Sequence, residues 1–317
     1  MKLKKLVSLI LAAAMTLALV SCGAVSVDGE KAGGTDTSAA ATETAGDGSV
    51  GMSISTLNNP FFVTLSEGAT AKAKEAGVNL ITVDAGDDSA KQASDIEDLI
   101  SKNISVLIVN PVDSDAVAPA VEDAIEKGIK VIAVDRVVNG VDVDCSIASD
   151  NVAGAKMATE YLVETVGEGA KTAELEGVNG ASATIDRGQG FHEVADEKLN
   201  VVASQTANFN RAEGMTVMEN MLQANSDIQC VFAHNDEMAL GAVEAVAGKD
   251  ILIAGFDATD DAIEAIKEGK MAATVAQKPD LMGATAVETA QKLIAGETVE
   301  KSIPVEVKLI TKDNVDE

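Results

Sequence analysis

From residue 50 onward, short runs of Val, Ile, Leu and Ala alternate with longer stretches in which apolar residues recur every three or four positions. Unbroken apolar runs of four or five residues predict strands buried on both faces, and the three-to-four recurrence predicts amphipathic helices. The strand-like runs fall at 51–55, 79–83, 106–109, 131–134, 145–148, 172–175, 201–204, 230–233, 251–254 and 273–275, with a last one at 305–309. Between most of them lies an Ala-rich helical stretch of 10 to 16 residues, for example 62–76, 116–126, 152–164 and 212–223. Strand and helix alternating this often predict an α/β architecture of parallel sheets with helices on both faces. So many strands are more than one compact parallel sheet usually carries, which divides them between two sheets. The polar triplet Ser149-Asp150-Asn151, set after a strand and before a helix, suits a helix cap and a crossing between the two halves.

Composition sharpens this picture. Apolar residues make up 46% of the 317, yet Trp is absent, Tyr occurs once and Phe six times, so the interior must be aliphatic. The 24 basic and 51 acidic residues give a formal charge of −27. Such a chain repels phosphate backbones and anionic headgroups, which argues against nucleic acid and charged lipid as partners.

At the N-terminus, Lys2, Lys4 and Lys5 precede an uncharged run over 6–20. About 15 apolar residues are too few to span a bilayer, so 1–21 reads as a signal peptide. Its end, Leu19-Val20-Ser21-Cys22, resembles the bacterial lipobox, in which the signal is cut before the Cys and that thiol is lipidated. Membrane attachment is therefore expected through a lipid on Cys22 alone. Losing the three lysines lowers the basic count from 24 to 21 against the same 51 acidic residues, a mature charge of −30. Residues 22–48 are small, polar and acidic, the composition of a flexible tether. Cys145 and Cys230 lie in apolar runs with no CxxC and no Cys/His cluster, so they read as buried thiols, and neither metal nor cofactor is expected.

In open α/β sheets, ligands bind beyond the carboxyl ends of the strands. Those positions hold Ser55, Asn59, Phe61 and Phe62 after the first strand, Asn110 after the third and Asp135-Arg136 after the fourth. The second half supplies Arg187 in the loop and helix start after 172–175, then Phe209, Asn235, Phe256-Asp257 and Gln277. Four of the six Phe belong to this set, although the core does nearly without aromatics; flat apolar faces at loop positions suit stacking on a ligand. Arginine occurs only at Arg136, Arg187 and Arg211, and two of the three are in the set. A guanidinium offers donors in a fixed fork and a carboxylate accepts from two hydroxyls, so Asp135, Arg136, Arg187 and Asp257 suit a ring of neighbouring hydroxyls. Their formal charges cancel, and the amides of Asn59, Asn110, Asn235 and Gln277 are neutral. That balance favours an uncharged, polyhydroxylated ligand. Taken one at a time, these residues also read as a surface salt bridge, turn amides and loop anchors. Arg211 reads as solvated surface.

At these residues the chain resembles the type I periplasmic sugar-binding family of bacterial ABC uptake systems. The resemblance runs from about 50 to 312. Its segments are STLNNPFF at 55–62, NPVDSDA at 110–116, Asp135-Arg136, IASDN at 147–151, RGQGF at 187–191, NDEMALG at 235–241, GFD at 255–257 and Ala276-Gln277. It implies a ligand, D-ribose or a similar small neutral sugar, with Phe61, Phe62, Phe209 and Phe256 as walls. It implies Ser55, Asn59, Asn110, Asp135, Arg136, Arg187, Asn235, Asp257 and Gln277 as the ligand-binding polar shell. Departures from the family lie outside that shell, chiefly at 137–145 and the loop 192–199. The implied fold is two similar lobes, each a parallel-sheet sandwich with helices on both faces, hinged by three crossovers. The implied lobes are 49–149 plus 278–306 and 150–277 plus 307–317. The implied partner is a membrane-embedded ABC permease with a cytoplasmic ATPase, which receives the sugar from a closed cleft.

Enzyme motifs are missing from the sequence: no GxxxxGK[ST], no GxGxxG after a strand, no GxSxG and no HExxH. Of the two histidines, His192 and His234, the second adjoins Asn235 and reads as a bystander at the cleft rim. Asp87-Asp88 and Asp260-Asp261 read as turn and helix-start residues. A sugar-responsive repressor would begin with a helix-turn-helix, whereas this chain begins with an export signal. Another pentose, a hexose or autoinducer-2 is the alternative ligand.

Overall fold

The computed structural model describes residues 46–316. The signal segment 1–21, Cys22 and the tether up to residue 45 lie outside the described residues. In chain order the elements are β1 (Val50–Ile54), α1 (Pro60–Ala76), β2 (Leu80–Asp84), α2 (Ser89–Ser101), β3 (Val106–Val109), α3 (Ala118–Glu126), β4 (Lys130–Val134) and β5 (Cys145–Ser149). They continue with α4 (Asn151–Val166), β6 (Lys171–Glu176), α5 (Ser182–Lys198), β7 (Asn200–Thr206), α6 (Arg211–Ala224), β8 (Cys230–Ala233) and α7 (Asp236–Ala245). The last are β9 (Leu252–Asp257), α8 (Asp260–Lys267), β10 (Ala273–Ala276), α9 (Pro279–Ile294), β11 (Ser302–Val305) and β12 (Lys308–Thr311).

Two six-stranded sheets result, ordered β11-β5-β4-β3-β1-β2 and β12-β10-β9-β8-β6-β7. Each is the centre of one lobe, and matching the two orders makes β3 the counterpart of β8, and β4 of β9. Both sheets are parallel except where β12 pairs antiparallel with β10. The unbroken aliphatic runs are the cause, because helices cover both faces of each sheet. In β3, Val106 and Ile108 point to the layer containing Leu65 and Met282, while Leu107 and Val109 point to the layer of Ile96, Leu99 and Val121. Burying a side chain of this size contributes roughly 1.5–3 kcal/mol. The second lobe repeats the plan with Val231 on one face and Phe232 on the other. Cys145 and Cys230 are free and buried.

The chain passes between sheets after β5, after β10 and between β11 and β12. At the first passage the Asp150 carboxylate accepts the Ala153 N–H at 2.9 Å and caps α4. The run read as one strand at 305–309 is two strands: β11 ends at Val305 in the first sheet and β12 starts at Lys308 in the second. An apolar run shows that a segment is buried but not which sheet buries it. Pro304 is tolerated in β11 because that strand is the edge of its sheet.

The lobes are shut against each other. The Ser114 N–H donates to the Gly180 carbonyl at 3.0 Å, the Ser182 N–H to the Ser114 hydroxyl at 3.2 Å, and the Val137 N–H to the Ser182 hydroxyl at 3.0 Å.

Candidate functional site

The carboxyl ends of β1, β3 and β4 in one lobe face those of β8, β9 and β10 in the other, and all thirteen cleft residues named from the sequence gather between them. Their routes there differ. After β4 the chain turns through a left-handed residue, Asp135 with φ 64°, and after β9 through Asp257 with φ 122°. Non-glycine residues avoid such angles, and their concentration at the two counterpart strand ends marks where the backbone is bent to aim a side chain.

Both carboxylates and both guanidiniums are buried. Arg136 Nε lies 3.7 Å from Asp135 Oδ2, and Arg187 NH1 lies 3.8 Å from Asp257 Oδ1. Arg136 NH1 also donates to the Pro111 carbonyl at 2.7 Å. Arg187 is anchored by Nε to Asn151 Oδ1 at 2.8 Å and by NH1 to the His234 carbonyl at 2.5 Å. Burial pushes Asp135 above the ordinary carboxylate range, while Arg136 and Arg187 pull it back. Asp257 is driven further up by burial and by Asp236, against the pull of Arg187. Burial lowers both arginines. Four desolvated charges that cancel, two from each lobe, are therefore only partly compensated by one another. Arg136 Nε and Gln277 Oε1 are buried without a hydrogen-bond partner among the described residues.

The rings frame these charges. The Arg136 guanidinium lies between Phe62 of its own lobe, 5.1 Å from the ring centre, and Phe209 of the other, at 5.4 Å. Phe209 sits in a left-handed turn with φ 57° and covers Gly177, where no Cβ would fit beneath the ring. Phe61 meets Phe62 edge-on at 5.1 Å and lines a hollow of about 440 Å³ with Pro60, Asp257 and Gln277. A second hollow, of about 270 Å³, is lined by Asn59, Phe62, Asp87, Arg136 and Phe209. Phe256 differs from the wall expected of it. It is fully buried and the Arg187 guanidinium covers it at 3.8 Å, so its face supports an arginine.

The amides are also partly committed. Asn110 Oδ1 accepts the Ser55 hydroxyl at 2.7 Å, and its Nδ2 donates to Asp135 Oδ2 at 3.1 Å, so Ser55 and Asn110 brace the carboxylate. Asn59 and Asn235 accept the N–H groups of Phe61 and Met238 at 2.9 and 3.0 Å, capping α1 and α7 with their oxygens. Their NH₂ groups take no part in these caps. Asn235 Nδ2 also reaches the Phe209 carbonyl at 3.4 Å. Gln277 Nε2 donates to Asp257 Oδ1 at 2.7 Å.

Besides Phe256, four sequence readings need correction. The segment 192–199 is not a loop but, up to Lys198, the last part of α5. Arg187 is not at a helix start but the sixth residue of α5, where one helical turn carries it over Phe256. His234 is not at the rim; it is fully buried, with Nε2 on Glu174 Oε1 at 2.9 Å. Arg211 is no free surface group: it holds Glu237 through Nε and NH2 at 3.0 and 2.7 Å and Asp261 at 2.8 Å. Asn151, Gln92 and Asp236 were missed as supports of the site. Gln92 carried a signal, since it shares the apolar stripe of α2 with Ile96, Leu99 and Ile100.

Residues 50–298 match the family described as periplasmic binding protein domain. The chain belongs to the periplasmic binding protein family. Among curated members it is 51% identical over 265 residues to the ribose import binding protein RbsB of Bacillus subtilis, covering 83% of this chain and 87% of that one. It is 45% identical over 316 residues to RbsB of Salmonella typhimurium, covering 98% and 100%. Among solved structures, an ABC transporter solute-binding protein from Bacillus halodurans with bound myo-inositol aligns with TM-score 0.81 and 35% identity, covering 86% of this chain and 96% of that one. Family membership makes the chain a solute-binding protein and not an enzyme. Among the described residues, no helix is long and apolar enough to cross a membrane.

Proposed function

We propose that the chain captures D-ribose in the cleft and hands it to a membrane-embedded ABC permease driven by a cytoplasmic ATPase. The observation that carries this reading is the quartet Asp135, Arg136, Arg187 and Asp257, buried and charge-balanced between the lobes, with Arg136 Nε and Gln277 Oε1 still unpartnered. Sugar hydroxyls donate to such carboxylates and accept from such guanidiniums, while Phe61, Phe62 and Phe209 suit the apolar faces of the ring. Ribose-binding relatives at 45–51% identity support the choice of sugar. The bound myo-inositol of the structural relative favours a second reading within the same class, a different cyclic polyol. Isothermal titration against ribose, other pentoses, galactose, myo-inositol and autoinducer-2 decides between them. Saturation by another ligand with no heat from ribose rejects the assignment.

The same reading assigns 49–149 plus 278–306 and 150–277 plus 307–317 as rigid lobes that close on the sugar, because both lobes touch it only when shut. It also assigns Cys22 as the lipidated mature N-terminus after removal of 1–21, which holds the protein outside the cytoplasm on the membrane. Mass spectrometry of the membrane-extracted N-terminal peptide, compared with Cys22→Ser, tests that anchor.

A further inference from the structure

Asp236 opens α7 next to the cleft residue Asn235. A carboxylate at a helix start ordinarily faces water and complements the helix dipole. This one is fully buried and faces inward. Its Oδ2 accepts the Thr259 N–H at 2.8 Å and the Thr259 hydroxyl at 3.3 Å, and its Oδ1 accepts the Thr274 hydroxyl at 2.6 Å. Thr274 Oγ1 in turn accepts the Ala258 N–H at 3.2 Å. The carboxylate thus grips, directly and through Thr274, the two amides that follow Asp257. Those amides belong to the strained turn, with φ 122° at Asp257 and 56° at Ala258. Gly255 makes the grip possible, because a Cβ there would collide with Asp236 Oδ1.

We infer that Asp236 is a positioning residue for ligand binding, clamping the turn after β9 in the one conformation that aims the Asp257 carboxylate into the cleft. The inference rests on reading Asp257 as a ligand contact. A charge without a cationic hydrogen-bond partner is an expensive clamp, which is why a purely structural role explains it poorly. Burial pushes Asp236 up to about 7, opposed by Thr274 and Thr259. The charged groups that face it are Asp257 on β9, Glu237 beside it on α7 and Arg187 on α5.

Three measurements on the same proteins test this. Hydrogen exchange at the Thr259 and Ala258 amides needs no ligand: Asp236→Ala should speed both, and Asp236→Asn, which can still accept from Thr259 and donate to Thr274, should speed them much less. Ribose titration should follow the same order, with Asp236→Ala weaker by about tenfold or more and Asp236→Asn within about threefold of the parent. In an Asp257→Asn background, Asp236→Ala should add little further loss, because both act through one carboxylate. Thr274→Val, which removes a single link, covers the case in which Asp236→Ala does not fold, and should speed Ala258 exchange and weaken ribose by about threefold. Unchanged exchange at Thr259, parent-like affinity in Asp236→Ala, or losses that simply multiply would each overturn the clamp. A parent protein that takes no ribose would sink the proposed function instead, and the exchange data would still decide the clamp.

Discussion

The loops that present the cleft residues are propped from below by different chemistry in the two lobes. In the first lobe, Gln92 reaches up from α2. Its Nε2 donates to the Asn110 carbonyl at 2.8 Å and the Ser53 hydroxyl at 3.2 Å, and its Oε1 accepts the Val112 N–H at 2.8 Å. That prop is neutral. In the second lobe the corresponding work falls to Asp236 and to the pair Glu174 and His234. The Gly177 N–H points at His234 Nδ1, 3.4 Å away, leaving the proton on Nε2 to donate to Glu174. Burial works to raise Glu174, but the hydrogen bonds from His234 and Ser204 and the charge of His192 outweigh it and hold the carboxyl below its ordinary value. Burial lowers His234, so its neutral form is favoured. The cores differ too: the rings in the first lobe's core are Phe61 and Phe62 at its cleft end, whereas the second has Phe191 stacked on Phe232 at 5.3 Å. One sheet topology thus carries two electrostatic designs, a neutral prop in the first lobe and ionisable props in the second.

The contrast can be broken most forcefully at the arginines. Arg187→Ala leaves Asp257 with the Gln277 amide alone, uncovers Phe256 and takes the partner from Asn151 Oδ1 and the His234 carbonyl, so ribose binding should fall by about 3–5 kcal/mol, the usual loss when a buried pair is broken. Arg136→Ala should lose about 2–3 kcal/mol, because Arg136 bonds only the Pro111 and Val112 carbonyls and Asp135 keeps the Asn110 amide. Calorimetric titration compares the two, and equal losses would remove the asymmetry. Next in size is Gln92→Ala, which leaves the Asn110 carbonyl and Val112 N–H without partners inside the first lobe. Chemical denaturation should show a loss of about 2 kcal/mol in stability, and the same loss at pH 5 and pH 8. A pH-dependent loss would contradict the neutral prop. The smallest effect on ribose binding is expected of Asp236→Asn, whose mark is on stability. Asp236 titrates near 7 when folded and at about 3.8 otherwise, so its contribution to stability is fully present below 3.8 and is lost as pH rises through about 7. Asp236→Asn should therefore melt higher than the parent at pH 8, with the gain fading toward pH 4. A constant difference across that range would refute the assignment of this ionisation to Asp236.

Much of the architecture was legible because parallel strands covered on both faces read as plain aliphatic words; VLIV at 106–109 is β3, buried throughout. The edge strand β7 runs longer than the 201–204 run, since its polar ends Asn200, Gln205 and Thr206 carry no burial signal. The cleft was legible through scarcity, in that so few Phe and Arg occur and most stand at strand ends. Partner choice was not. Nothing local says that Ser55 bonds Asn110, 55 residues on, or that His234 is drawn inside by Glu174, 60 residues before it. Arg211 was misread for the same reason, its partners lying 26 and 50 residues away. Asp236 left no mark of its own, since an acidic residue at a helix start is ordinary and only the inward turn of its carboxylate sets it apart.

The seam formed by Ser114, Val137, Gly180 and Ser182 has a further consequence. On the proposed closure of the lobes those bonds form only in the shut arrangement, and none of the four belongs to the proposed sugar shell. Removing the Ser182 hydroxyl would enlarge the gaping population and lower apparent affinity in proportion, leaving the recognition surface intact. Grip strength and choice of cargo are thereby separate dials, so evolution can retune how readily the load is surrendered without altering which load is picked up.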